Sequence, residues 1–315
     1  MKELERISFS KLSTFEQCPR KFLFKYEQKK RSDTTSLALE IGTISHYGME
    51  LIGQALIDGR KPDYEHIKKV VMDGYDEKHE NVTVHIPGVT ELKEKYFFEW
   101  VEPDNKSGMN YDEKLKIYFD NLHKLEQDNV WRPVAVEPEF DFPYEGLFRL
   151  YGFIDRIDVN SAGDYRVVDY KSSKKLFDDK DIKTPMQMYF YTLAVEQMYG
   201  KVPIEHLYDF IFLGQTQNSC SKGYQVRGQK KLMKLWEALK ECRESGIWKP
   251  MPSPLCHWCD YCKTNPNASD DYKQECTYFS LWSPHNKTFE KNKEFDAANA
   301  RTETEVEKKA DGFWF

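Results

Sequence analysis

The stretch Val167-Val168-Asp169-Tyr170-Lys171 sets an acid and a base two residues apart at the end of an apolar run. Side chains of a strand alternate between its faces, so Asp169 and Lys171 share one face about 7 Å apart by strand rise. A second carboxylate, Asp155, ends Gly152-Phe153-Ile154-Asp155, where a neutral residue would cost less to bury. Two carboxylates meeting at strand ends offer hard oxygen ligands to Mg2+ or Mn2+, ions that commonly keep waters and take phosphate oxygens as their remaining ligands. A lysine beside them can position or deprotonate an attacking water. Taken singly, either acid is more often a strand-end partner in a salt bridge, and the conjunction is what points to chemistry. Asp158, three positions beyond Asp155, is expected on the opposite face in a structural role.

The thiols form a second constellation. Cys256-His257-Trp258-Cys259-Asp260-Tyr261-Cys262 places three cysteines at two-residue gaps, and Cys276 follows after an Asn- and Asp-rich loop. This is the spacing of a metal-thiolate site. Cys220 and Cys242 lack it and are expected to be buried fillers. The first ten residues carry charges where a signal peptide needs an apolar stretch, so a cytoplasmic location with reduced thiols is expected. The sequence has no apolar run of about 18 residues, so no membrane span is expected.

A net charge of −6 does not announce a polyanion ligand. Its distribution is more informative, because Arg20, Lys21, Lys25, Lys29, Lys30 and Arg31 crowd one segment against Glu27 alone, interleaved with Phe22, Phe24 and Tyr26. The segment is either a phosphate-facing patch or a solvated helix face.

The elements that must position these groups follow from periodicity. Ser8 or Ser10 can cap a helix running through Glu16, and Pro19 is placed to open the next. Apolar residues at helical spacing run from Leu37 to Leu56, then more weakly through 63–80 and 110–125, with 61–128 read as a charged helical insertion. At Val134 the period becomes that of a strand and holds to Phe142; Leu147–Val159 and Tyr165–Tyr170 read as further strands around a turn at 160–164. A helix over about 184–199, a strand over His206–Leu213, a possible strand near Tyr224–Arg227 and a helix over Lys230–Ser245 complete a mixed α/β core. The expectation is a central mixed sheet flanked by helices, one domain over 1–285 with a cysteine segment at 256–276, and a loosely ordered charged tail over 286–315.

Four motifs in this order resemble the RecB-like branch of the PD-(D/E)XK nucleases, which includes the iron–sulfur exonucleases of CRISPR adaptation and the AddB subunits. Gly42-Thr43-Ile44-Ser45-His46 resembles its GxxxH motif, Gly152-Phe153-Ile154-Asp155 its GxxD motif, Asp169-Tyr170-Lys171 its (D/E)xK motif, and Gln187-Met188-Tyr189-Phe190-Tyr191 its QxxxY motif. The resemblance implies a restriction-endonuclease-like core in which His46, Asp155, Asp169 and the backbone carbonyl of Tyr170 bind Mg2+ or Mn2+ and Lys171 handles the nucleophilic water. Gln187 and Tyr191, four residues apart on one helix face, would grip a DNA strand or brace the site. Arg20 and Lys21 would contact DNA.

The segment Ser10–Pro19 resembles the family's opening box, whose cysteine is the first ligand of a 4Fe–4S cluster. By that resemblance Cys18, Cys256 and Cys259 hold the cluster with either Cys262 or Cys276, and structural Zn2+ is the alternative. The family usually shows its last cysteine about six residues after the CxxC pair, where this chain has Asn265. The implied activity is that of a DNA exonuclease in recombination, repair or replication, acting on single-stranded DNA or free ends. No GxxxxGK[ST] motif is present, so a helicase or recombination motor would be a separate partner. The rival expectation is a non-catalytic DNA-binding or scaffold subunit of a nuclease–helicase complex, whose mark would be a lost ligand or lysine.

Overall fold

The structure is a computed structural model that describes residues 3–30, 35–74, 87–178, 186–219, 223–262, 265 and 276. In chain order the elements are β1 (Arg6–Ile7), α1 (Phe9–Gln17), α2 (Pro19–Phe22), α3 (Leu37–Ile57), α4 (Tyr64–Asp73), α5 (Val89–Lys95), α6 (Phe97–Val101), α7 (Tyr111–Asn121) and α8 (Lys124–Gln127). There follow β2 (Trp131–Val136), β3 (Glu139–Tyr144), β4 (Phe148–Phe153), β5 (Arg156–Asn160), β6 (Tyr165–Lys171), α9 (Met186–Tyr199), β7 (Glu205–Phe210), β8 (Gln215–Asn218) and α10 (Tyr224–Ser245). Two compact units result, one of Met1–Arg6 with Thr35–Gln229, the other of Ile7–Thr34 with Lys230–Phe315.

The first unit is mixed α/β. Its five-stranded sheet runs β2-β5-β6-β7-β8. Neighbours pair antiparallel except β6 and β7, which are parallel. A parallel pair needs a crossover, and the chain between β6 and β7 contains α9. A three-stranded sheet, β1-β4-β3, adds β1 to the hairpin of β3 and β4. One face of α3 packs its Ile41, Ile44 and Ile52 with Leu115 and Tyr118 of α7 and with Val168 and Tyr170 of β6 in one apolar cluster. The approach is close: a Cβ on Gly48 would lie 2.2 Å from the Tyr118 hydroxyl, which donates to the Ser45 carbonyl at 2.9 Å. Only a glycine lets α7 clasp α3 there.

The strands differ from the sequence expectation in an informative way. The run 134–142 is two strands in two sheets, broken at Glu137, whose φ is 45°, and at Pro138, which has no amide for a ladder. Leu147–Val159 breaks likewise at Ile154 and Asp155. The breaks face each other: Glu137 donates its amide to the Asp155 carbonyl at 3.1 Å, and Ile154 donates to the Pro138 carbonyl at 3.3 Å. The expected strand 206–213 stops at Phe210, and the residues expected as a strand at Tyr224–Arg227 instead open α10. The edge strand is the polar Gln215–Asn218, which has no apolar alternation to announce it.

In the second unit Ser8 caps α1 by accepting from the Lys11 amide at 3.2 Å, and Pro19 takes the first turn of α2, where its missing amide costs nothing. Phe15, Phe22 and Trp248 form its aromatic core, Phe22 stacking on Trp248 at 5.9 Å. Phe22 is fully buried, worth about 1.5–3 kcal/mol relative to exposure. Lys231 pairs with Glu16 at 2.9 Å and Arg243 with Glu27 at 2.7 Å. Among the described residues no helix is long and apolar enough to cross a membrane.

Candidate active site

The two strand breaks and the end of β6 converge in the first unit. One ligand atom each from His46 on α3, Glu137 after β2 and Asp155 before β5 lie within 4.8 Å of one another. His46 Nδ1 stands 3.6 Å from Asp155 Oδ2. The Tyr170 amide donates to that same Oδ2 at 2.6 Å, tying Asp155 to the strand that carries Asp169.

Asp169 is buried at the end of β6. Its Oδ1 accepts from Gln187 Nε2 at 2.8 Å and from the Tyr191 hydroxyl at 3.2 Å, while Gln187 Nε2 also donates to Tyr191 at 2.7 Å. The Lys171 ammonium is ion-paired with Asp169 Oδ2 and lies 3.5 Å from Gln187 Oε1. The four-residue spacing of Gln187 and Tyr191 therefore lets one helix face brace an acid on the adjacent strand. Asp158 is fully buried between Arg156, at 2.8 Å, and Arg166, at 2.6 Å. The Arg156 guanidinium also donates to the Tyr170 hydroxyl.

The electrostatics show a site with more negative charge than its surroundings offset. Burial foremost, then the charges of Asp169 and Glu137, raise the Asp155 carboxyl well above its usual range. Burial, followed by Glu50 and Asp169, pushes Glu137 up to about 7. Burial lowers the His46 imidazole against the raising effect of Asp169. A neutral imidazole is the ligand form. The buried Asp169 Oδ2 faces the Lys171 ammonium. Crowded carboxylates and a neutral histidine fit a divalent cation, which would supply the missing positive charge.

A second site lies within the second unit. Cys18, Cys256, Cys259, Cys262 and Cys276 line one cavity with Arg20 and Lys21. Met251 donates its amide to Cys18 Sγ and Ser253 its amide to Cys256 Sγ, each at 3.4 Å. A β-bridge joins Cys262 to Cys276, and the Cys276 amide donates to the Tyr261 carbonyl at 2.7 Å. Burial raises Cys256 and pushes Cys259 up to about 11, with Lys21 acting in the lowering direction on both. Among the described residues, no three of these sulfurs lie within 4.8 Å of one another.

The model of the PD-(D/E)XK nuclease superfamily matches residues 6–264, most of the sequence. The chain belongs to this superfamily. A PD-(D/E)XK nuclease is a hydrolase acting on nucleic acid and uses Mg2+ or Mn2+, and the acidic group around Asp155 is a possible place for the ion. The mixed α/β core described above is this nuclease fold. No curated protein matches the sequence. A solved structure of a Eubacterium rectale protein, put forward as an exonuclease, is similar over 89% of this chain and 94% of its own, at 14% identity and a TM-score of 0.40. That likeness is too low to bear on activity.

In this nuclease, Glu137 joins the group without having been singled out from the sequence. Residue type gave no signal, since Glu137 reads as one of several polar positions in an alternating strand. Pro138 is the sign that could have found it, because a proline forces the ladder to break at its neighbour. Arg20 and Lys21 lie at the cysteine cavity, where Arg20 sits over the Phe24 ring at 5.6 Å and Lys21 donates to Gln17 at 3.2 Å. Cys242 is half-buried rather than buried, in a groove beside α1. Cys220 and the tail 286–315 lie outside the described residues.

Proposed function

We propose that this chain is a metal-dependent DNA exonuclease of the RecB-like kind. The observation that carries the reading is the group formed by His46, Glu137 and Asp155 within 4.8 Å, coupled through Tyr170 to the Asp169–Lys171 pair. His46, Asp155, Asp169 and the Tyr170 carbonyl, with Glu137 added, would hold Mg2+ or Mn2+. When bound, the ion supplies Lewis acidity to a DNA phosphodiester.

The chain's own residues do the rest. Gln187 and Tyr191 hold Asp169 in place by donating to Oδ1. Lys171 Nζ, kept close by Asp169 and Gln187, orients the attacking water and carries a proton at that nitrogen. Gln187 and Tyr191 also border the path of the strand being cut, and Arg20 and Lys21 contact its phosphates. The reading places the chain in recombination, repair or replication, with any helicase a separate protein. Digestion of linear, end-blocked and circular DNA with added Mg2+ or Mn2+ tests it: an exonuclease degrades only the DNA with accessible ends.

Cys18, Cys256 and Cys259, with Cys262 or Cys276, would hold a structural 4Fe–4S cluster. Their lining of one cavity supports a shared metal centre, with structural Zn2+ the alternative. The Met251 and Ser253 amides are aimed at Cys18 and Cys256.

A further inference from the structure

A groove of about 1240 Å3 in the second unit takes no part in the mechanism above. It lies among α1, Pro19, the part of α10 beyond Lys230, and the segment Ile247–Met251. Four lysines line it against two glutamates, Glu16 and Glu241. Lys231 is engaged by Glu16 at 2.9 Å. Lys230, Lys234 and Lys249 are exposed and make no ion pair or hydrogen bond among the described residues. Among the described residues that line the groove, these three cations stand against Glu241, a local excess of positive charge in a chain whose net charge is −6.

The spacing and the floor narrow the ligand. Lys230 and Lys234 are one turn apart on α10, about 6 Å along its axis, close to one phosphate step of an extended single strand. Lys249 stands near Cys242, where its charge acts on the thiol. Between them the floor is apolar, with Ile247 at 38% and Met251 at 47% exposure beside Leu235 and Ala238. Phosphates suit the lysines, and unpaired bases suit the floor. A duplex would offer it only a second row of phosphates.

We propose that this groove is an accessory track for single-stranded nucleic acid, with Lys230, Lys234 and Lys249 on its phosphates and Ile247 and Met251 against its bases. The proposal rests on the reading of the chain as a DNA nuclease and adds a second place, built by other residues, that holds the strand.

The test uses the full chain and a variant combining Lys230→Gln, Lys234→Gln and Lys249→Gln, all exposed positions. Binding of a long oligothymidylate is followed by fluorescence anisotropy across a salt series in chelator, so that nothing is cut. Three phosphate contacts at about 0.7 each should lower the slope of log affinity against log salt by about 2, with affinity at low salt weakened roughly tenfold or more. Cleavage of an oligonucleotide too short to leave the active site should be unchanged. An unaltered slope would overturn the groove, including the case where the lysines serve an acidic peptide instead. A wild type that cuts DNA but binds single strands no better than the variant removes the groove and leaves the nuclease standing; one that neither binds nor cuts removes both.

Discussion

The backbone amide of Tyr170 donates to Asp155 Oδ2 at 2.6 Å, which fixes a carboxylate from one strand break against the strand that carries Asp169 and Lys171. Glu137 reaches the same point because its own amide is tied to the Asp155 carbonyl. Two acids 18 residues apart in sequence are thus registered by main-chain bonds.

Lys171 and Glu137 should fail differently. Lys171→Ala is expected to lower kcat on the order of 10²–10⁴-fold while leaving metal affinity near wild type, because the lysine serves the water. Glu137→Gln should weaken metal binding instead, with activity recovered in part at high Mn2+. Metal titration by calorimetry beside the rate measurement separates the two, and identical behaviour of both variants would contradict the division of roles.

Stability should depend on pH in a way the metal reverses. Glu137 rises from an ordinary 4.5 to about 7, and Asp155 is raised as well. A carboxyl raised on folding contributes stability that is complete below its unfolded value and lost as pH rises through the folded one. The metal-free protein should therefore lose Tm between about pH 5 and pH 8, and Mn2+ should restore more of it at the upper end. Thermal unfolding with and without chelator reads this out, and an equal Mn2+ shift at both ends would contradict it.

Tyr191→Phe removes one donor from Asp169 and leaves Gln187. The expected cost is about 1 kcal/mol at the transition state, or roughly a fivefold fall in kcat/KM. A fall matching that of Lys171→Ala would mean that the phenol takes part in the chemistry directly.

Much of this arrangement is legible in the sequence, and the part that is not has physical reasons. Asp169 and Lys171 stand out because strand alternation puts an acid and a base on one face, Asp155 because a carboxylate ends an apolar run, and Gln187 and Tyr191 through the motif resemblance. The breaks at Glu137 and Asp155 do not, since apolar alternation continues across both and only Pro138 marks a fault. The edge strand β8 is missed because a four-residue polar strand with no more than half-buried side chains has no alternation to read. Tyr224 is taken for a strand residue although its hydroxyl lies 2.7 Å from that of Thr192 on α9, a long-range contact that local pattern cannot supply.

The thiol cavity predicts its own contents. Anaerobically purified protein should be brown and carry iron and sulfide, and Cys18→Ser should lower Tm more than it lowers the rate of the folded fraction. Serine at Cys262 or at Cys276, made singly, should identify the fourth ligand by which variant loses iron. Colourless protein with bound zinc would contradict the cluster.

The most direct measurement compares wild type with Asp155→Asn on end-labelled linear DNA in Mn2+, with folding of both confirmed by thermal unfolding. The account predicts that the wild type degrades the DNA and that the variant, deprived of a carboxylate at the centre of the metal group, leaves it intact. Equal degradation by both proteins, or no degradation by metal-loaded wild type, would contradict it.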